Sequence, residues 1–92
     1  MTITAKVYVL LEDYDNGEPW EDHHYYYGQF AGVFPTEDAA KVRINELYDR
    51  TERKSSALME EDGEYSWTAK TWSEYEEEYT YTIVEEEMKI EV

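Results

Sequence analysis

The sequence predicts an α+β protein in which one helix packs on one face of a four-stranded antiparallel sheet, in the order ββαββ. Four stretches alternate apolar and polar residues at strand spacing, and one stretch between the second and third repeats apolar residues every three or four positions. The chain has 92 residues, of which 41% are hydrophobic and 16% aromatic, so we expect one core and a single domain over residues 1–92.

The first half of the sheet is expected to be a long hairpin. Residues 2–12 form the clearest strand, with one apolar face expected to point into the core. That face comprises Ile3, Ala5, Val7, Val9 and Leu11. The polar residues 13–22 predict the hairpin loop, and residues 24–34 predict the returning strand. Gly28 and Gly32 in this second strand indicate a bulge or the close approach of another element.

A helix is predicted to begin after Thr36, which is a favourable N-cap residue. Glu37 and Asp38 lie in the first turn, where the helix dipole favours acidic side chains. The residues at helical spacing that should face the sheet are Ala40, Ile44, Leu47, Tyr48 and Thr51. The sequence places the end of the helix only approximately, between Arg53 and Glu61.

Two further strands complete the predicted sheet. The turn at residues 62–63 precedes a strand over residues 65–72, which has an aromatic side chain on each face, and residues 76–78 form a reversal. The last strand covers residues 79–92, and its apolar positions change phase. The apolar residues have odd numbers at first, namely Tyr79, Tyr81 and Ile83. They have even numbers afterwards, namely Val84, Met88, Ile90 and Val92. A bulge near residues 83–86 would bring them to one face.

Acidic residues are distributed unevenly along the chain. There are 23 Asp and Glu residues against eight Lys and Arg, which gives a net charge of −15. The predicted helix and its end, residues 36–54, are neutral, whereas residues 1–35 carry −5 and residues 55–92 carry −10. We therefore expect the excess acid mainly on the uncovered sheet face and in the strand loops. A direct nucleic-acid or anionic-membrane contact is excluded because it needs clustered Lys and Arg, so a charged partner must be basic.

The chain contains no cysteine, which excludes disulfides, thiolate catalysis and Cys-ligated metal sites. The first residues lack the long apolar run of a signal peptide, and no stretch reaches the roughly 18 apolar residues needed for a membrane span. We therefore expect a protein of the cytoplasm.

Rows of carboxylates on adjacent strands approach the charge density of duplex DNA, which is about one negative charge per 1.7 Å of axis. Such a surface is suited to occupying a basic groove by mimicry of nucleic acid. The carboxylates expected at this surface are Asp13, Asp15, Glu18, Glu21, Asp22, Glu74, Glu76, Glu77, Glu78, Glu85 and Glu87. Tyr79 and Tyr81 are expected to share a face with carboxylates and to act as aromatic anchors. A solvated sheet face and an aromatic ladder that only stabilises the sheet are the alternative interpretations.

No catalytic, metal or cofactor site is predicted. His23 and His24 lie beside Glu21 and Asp22, but neighbouring strand residues point to opposite faces, so at most two of the four can cooperate. The segment from residue 13 to residue 18 resembles an EF-hand loop only in part, because its glycine is one position too early. No nucleophile–base pair, phosphate-binding loop or glycine-rich fingerprint is present, so we expect a protein that is not an enzyme.

The segment Gly32-Val33-Phe34-Pro35-Thr36-Glu37-Asp38-Ala39-Ala40, together with the opening strand Lys6-Val7-Tyr8-Val9, resembles a pattern of short phage proteins. With its size and acidity, the chain looks like the small phage-encoded inhibitors of bacterial defence, which include anti-CRISPR and anti-restriction proteins that mimic DNA. The resemblance covers about a fifth of the chain and implies no particular functional residue. It implies a viral protein whose partner is a CRISPR effector or another defence nuclease.

A second functional interpretation remains open from the sequence. The protein would then be a non-inhibitory adaptor domain that recognises a basic protein through exposed tyrosines. Both a monomer and a homodimer are compatible with the sequence, because a long last strand at a sheet edge can pair with a second copy, although its glutamates oppose such pairing.

Overall fold

Five antiparallel strands and one α-helix make up the fold, which the computed structural model describes over all residues from Met1 to Val92. In chain order the elements are β1 (Thr2–Asp15), β2 (Tyr25–Phe34), α1 (Glu37–Arg50), β3 (Met59–Glu61), β4 (Glu64–Lys70) and β5 (Glu76–Glu91). The strand order in the sheet is β2-β1-β5-β4-β3. The α+β class is confirmed, whereas the predicted four strands are five, because β3 was not recognised.

The first and last strands of the chain pair along their whole length at the centre of the sheet. Their register runs without interruption from Thr2 opposite Glu91 to Asp15 opposite Glu78. The bulge predicted near residues 83–86 is therefore wrong. In an unbroken ladder successive residues face opposite sides, so the change of phase in β5 means that both faces of this strand carry apolar side chains.

The side of the sheet that α1 covers holds the core. Its buried cluster comprises Leu10, Ile44, Tyr65, Trp67 and Tyr81. Leu10 lies opposite Ile83 and points to this side. The odd-numbered apolar face of β1, predicted to be the core face, therefore lies on the other side. The pattern was misread because β1 is apolar on both faces around Leu10.

The other side of the sheet is covered by no helix, and we call its apolar part the open face. The register places ten apolar residues there. They are Ile3, Ala5, Val7, Val9 and Leu11 of β1, Phe30 and Val33 of β2, and Val84, Met88 and Ile90 of β5. The expectation that this face is mainly acidic is therefore wrong for the half of the sheet that carries the chain termini.

The helix begins as predicted. The Thr36 side chain accepts a hydrogen bond from the Ala39 N–H at 3.1 Å, and Ala40 and Ile44 are buried against the sheet. The helix ends at Arg50, earlier than the sequence predicted, with Thr51 as its C-cap. No helix in the structure is both long enough and apolar enough to cross a lipid bilayer.

A tight hairpin explains the fifth strand. Asp62 and Gly63 have φ angles of 51° and 79° and connect β3 to β4, as in a type I′ turn, in which both central residues have positive φ. The predicted turn is confirmed, but the three residues of β3 are too few to show an alternating pattern. The predicted reversal at residues 76–78 is wrong, because these residues lie within β5 and the chain reverses before them.

The helix–sheet contact predicts a difference between two aliphatic residues of α1. We expect Ile44→Ala to lower the free energy of unfolding by about 2 to 5 kcal/mol, because Ile44 is fully buried in the core. Val42 is 57% exposed on the same helix, so Val42→Ala should change it by less than about 0.5 kcal/mol. Urea denaturation of both variants measures this. Equal effects would contradict the assignment of the covered sheet face.

Candidate functional site

Nine carboxylates meet at the end of the sheet that lies away from the chain termini, and we call this surface the acidic end. They are Asp13, Asp15, Glu18, Glu21, Asp22, Glu74, Glu76, Glu77 and Glu78. Five come from β1 and its following loop, and four from the turn before β5 and its first residues. Asp15 pairs directly with Glu78 across the central ladder, so the fold joins two acidic segments that are about sixty residues apart in the chain.

Side chains of the β1–β2 loop fix its conformation. The Asn16 Oδ1 accepts hydrogen bonds from the N–H groups of Glu18 and His24 at 3.1 and 3.0 Å. Its Nδ2 donates to the Asp22 carbonyl at 2.7 Å. The loop is therefore closed by one amide side chain. It includes a 3₁₀ turn at Trp20–Asp22, whereas Asp13 and Asp15, predicted in the loop, belong to β1.

Close backbone contact holds this loop against the start of β5. Gly17 has a φ of +68°, and a Cβ atom at this position would lie 2.0 Å from the carbonyl oxygen of Glu76. Only glycine allows both the conformation and the approach. The 3₁₀ turn and residues Ser73 and Tyr75 of the β4–β5 turn also line one open cleft of about 450 Å³. The two acidic segments consequently form one surface.

Few cations oppose the charge of the acidic end. Its one ion pair joins Asp15 to the His23 Nε2 at 3.0 Å, and the other ion pairs of the molecule involve Glu85, Glu37 and Glu46. The Gly17 N–H and then His23 hold the pKa of Asp15 below its usual value. No Lys or Arg forms an ion pair with a carboxylate of the acidic end, so the surface attracts basic groups.

Tyrosine hydroxyls bind Glu77 of the acidic end and the neighbouring Glu12 of β1. The hydroxyls of Tyr14 and Tyr79 both donate to the Glu77 Oε2 at 2.7 Å. Those of Tyr26 and Tyr81 donate to Glu12. Glu77 is therefore half-buried and has two donors of its own. It contributes charge to the acidic end but is also part of the structure that holds it.

Of the two tyrosines predicted as anchors, Tyr81 is buried and Tyr79 is half-buried. Tyr81 is 2% exposed and stacks on Trp67 with 5.3 Å between ring centroids. Tyr79 also stacks on Trp67, with 5.2 Å between ring centroids, and is half-buried. Tyr81 cannot contact a partner in this arrangement, and both residues stabilise the sheet.

Two of the predicted surface carboxylates are separated from the others. Glu85 lies opposite Tyr8 and forms an ion pair with Lys6 at 3.1 Å, and Glu87 lies opposite Lys6. Glu85 lies seven positions after Glu78 along β5, a distance of roughly 23 Å. The structure does not bring Glu85 and Glu87 to the acidic end.

Two exposed aromatic residues at the acidic end, Trp20 and Tyr75, are ones that the sequence did not single out. Trp20 is 91% exposed and has a φ of 54°, a conformation that bulky residues seldom adopt. Trp20 and Tyr75 line the same cleft as Glu18, Glu21 and Asp22. Tyr25 and Tyr27 stack in a row with His23 along β2, and both are exposed. A tryptophan beside Pro19 in an acidic loop was the available sequence signal.

Another cleft of about 450 Å³ lies between the end of α1 and the covered sheet face. Glu12 and Glu77 in this cleft already accept hydrogen bonds from tyrosines, and Arg50 and Arg53 also line it. Arg53 packs over the Trp72 ring at 4.4 Å. This cleft contains charges of both signs, and its tyrosine hydroxyls already donate hydrogen bonds to carboxylates. It therefore presents no pairing of a nucleophile with a base.

No group of three or more His, Asp or Glu side chains is placed to hold a metal ion. Comparison of the chain with protein-family models, with curated proteins and with solved structures finds no match in any of the three. The functional argument therefore rests on the acidic end itself.

The tyrosine–carboxylate contacts predict a stability loss at alkaline pH. Burial, followed by the hydrogen bond to Glu12, raises the pKa of Tyr26 to about 12, and burial likewise raises the pKa of Tyr14, Tyr79 and Tyr81 well above the ordinary value. These phenols ionise near pH 10 in the unfolded chain, so their contribution is complete below about pH 10 and is lost as pH rises above it. We expect the melting temperature to fall above about pH 10.

Tyrosinate absorbance measured against pH tests this directly. The ten tyrosines should not all ionise in one step near pH 10, and the last should ionise together with unfolding. A single reversible step near pH 10 that includes every tyrosine would contradict the buried network.

Proposed function

We propose that this protein is a non-enzymatic inhibitor whose acidic end occupies the basic nucleic-acid groove of a bacterial defence nuclease, acting in the host cytoplasm as a phage-encoded DNA mimic. A guide-bound CRISPR effector is the first candidate target. The observation that carries the proposal is the meeting of nine carboxylates, from two distant segments, at one end of the molecule with a single histidine as ion-pair partner.

The charge of this surface supports mimicry. Nine negative charges equal those of roughly 15 Å of duplex axis. The two shorter dimensions of the molecule are 27 and 22 Å, so the charge density across its end is within a factor of about two of that of DNA. A basic groove that releases counterions to DNA can therefore bind this surface with a comparable long-range attraction.

The exposed aromatic residues supply the contacts that charge alone lacks. Trp20 and Tyr75 flank the acidic cleft, and Tyr27 lines a smaller cleft of about 210 Å³ with Asp13, Asp15 and Glu78. Tryptophan and tyrosine are common energetic anchors at protein interfaces. In a nucleic-acid channel they can also take stacking positions used by bases. We therefore assign the anchor role to Trp20, Tyr27 and Tyr75.

The exposed row of Tyr25 and Tyr27 favours a second candidate function. A non-inhibitory adaptor that binds a basic protein would use this row as its main contact. The two functions differ in their response to salt. Mimicry should weaken steeply with ionic strength, whereas an interface dominated by tyrosines should weaken little.

Neutralising three carboxylates tests the charge assignment. We expect Glu74→Gln, Glu76→Gln and Glu78→Gln in one chain to weaken binding to the target nuclease by about 2 kcal/mol, or roughly 30-fold, and to flatten its salt dependence. Glu77 stays unchanged because two tyrosines donate to it. The matched control, Glu85→Gln, Glu87→Gln and Glu91→Gln, removes the same charge from the far half of β5 and should bind as the native protein does.

The target is obtained first by capturing lysate proteins on the immobilised chain and eluting them with duplex DNA. A captured nuclease is then purified, and its cleavage of DNA is measured with each variant. Full inhibition by the Glu74, Glu76 and Glu78 variant would contradict the charge assignment. A partner that duplex DNA does not displace would favour the adaptor.

Trp20 gives a test in which stability and binding change in opposite directions. Trp20→Gly places glycine where the backbone has a left-handed conformation that tryptophan adopts only with strain. We therefore expect the free energy of unfolding to stay equal or to rise by up to about 1 kcal/mol. Binding to the nuclease should fall at least about tenfold if the indole is an anchor. Thermal unfolding and binding isotherms measure both. Unchanged binding would exclude Trp20 from the interface.

A further inference from the structure

The open face presents apolar side chains that the chain itself does not cover. Phe30, Val33, Met88, Ile90 and Ile3 are all exposed on it. Their strand neighbours on the same face, among them Val7, Val9 and Val84, are only half-buried. This surface is continuous across β2, β1 and β5, and it lies toward the termini, away from the acidic end.

The accessible surface of the molecule is larger than that expected for a compact protein of its mass. Its accessible area is 6570 Å², whereas a monomeric protein of 11 kDa has about 5,600 Å². The excess, roughly 900 to 1,000 Å², is close to the area of about 800 Å² that each partner buries in a stable interface. The radius of gyration is 15.8 Å, compared with about 12 Å for a compact chain of this length.

The excess arises where the sheet narrows to two strands. The ladder between β4 and β5 ends at Thr82, and that between β2 and β1 ends at Tyr8. Beyond them, β1 and β5 continue as a two-stranded ribbon to the termini, where Met1 and Val92 still exchange hydrogen bonds at 2.8 and 2.9 Å. An isolated two-stranded ribbon is marginal in water, so this one needs a further layer packed against it.

We propose that this further layer is a second copy of the chain, packed open face against open face about a two-fold axis. Such an interface is self-complementary, and it would form a two-layer sandwich with the sheets about 10 Å apart. The ribbon of each protomer would cover the ribbon of the other.

Charge supports this occupant. Among the ten apolar residues the register places one charged side chain, Glu86, opposite Val7. At Glu86 the only neighbour of β5 is β1, so the carboxylate lies at an open strand edge and can reach water. A basic partner would be drawn to the acidic end instead, whereas a face with this composition fits another apolar strand face.

The two-fold arrangement also separates the like charges. The molecule is 56 Å long, and the acidic ends of the two protomers would point in opposite directions. They would then lie many times farther apart than the Debye length of about 8 Å at physiological ionic strength. The net charge of −15 on each chain therefore weakens the dimer without preventing it.

Sedimentation equilibrium of the purified protein tests the dimer. We expect a species of twice 11.0 kDa that gains population with concentration and with added salt, because salt screens the repulsion between protomers. Val7→Thr, Val9→Thr and Val84→Thr in one chain keep β-branched residues but add hydroxyls to the face, and should raise the dimer dissociation constant roughly 100-fold. Val42→Thr on α1 is the matched control and should leave it unchanged.

A variant that tightens the dimer provides a second test, because misfolding can explain a weaker dimer but not a tighter one. Glu86→Gln removes the one charge of the face and should tighten the dimer roughly tenfold. An 11.0 kDa monomer at all concentrations up to about 200 μM and about 0.5 M salt would overturn the proposal. So would a dimer that the three Thr substitutions leave unchanged while circular dichroism shows them folded. Self-association is measured without the nuclease, so its result is independent of the proposed inhibition, which salt should weaken.

Discussion

The unbroken pairing of the first strand with the last determines the rest of this structure. Thr2 to Asp15 pair with Glu91 to Glu78 without a bulge, so neither strand can rotate a segment to bring all its apolar residues to one side. One half of the ladder must place its apolar residues on the helix side and the other half must place them on the open side. The covered core, the open face and the acidic end are three consequences of this single register.

The ladder also explains why the acidic end is structurally tolerable. Like charges placed directly opposite each other destabilise a sheet, and Asp15 lies opposite Glu78. The repulsion is offset locally, because Asp15 accepts hydrogen bonds from Gly17 and His23, and Glu77 accepts them from two tyrosines. Asp13 is half-buried and accepts a hydrogen bond from the Gly28 N–H. The carboxylates that have no donor and are exposed, so that water and ions screen them, are Glu21, Asp22, Glu74, Glu76 and Glu78.

Local signals predicted the elements that depend on local physics. The Thr36 cap, the sheet-facing residues of α1 and the turn at Asp62 and Gly63 are confirmed, because capping, helical spacing and positive φ are encoded within a few residues. The core face of β1 was predicted wrongly, because alternation gives two faces but does not say which one the helix covers. The sequence indicated both acidic segments, yet only the long-range register shows that they meet and that Glu85 does not join them.

Separating charge from apolar surface along one strand pair would let the two proposed associations coexist in a small chain. A single mixed surface would place carboxylates in an apolar interface, where desolvation opposes their burial. Here roughly 23 Å of strand separates Glu78 from Glu85, and the side chains between them on the open side change from Thr80 and Thr82 to Val84. In the two-fold dimer the same register would direct two acidic ends away from each other. One protein could then present a nucleic-acid-like charge pattern at both ends, with the apolar ribbons as the rigid connection between them.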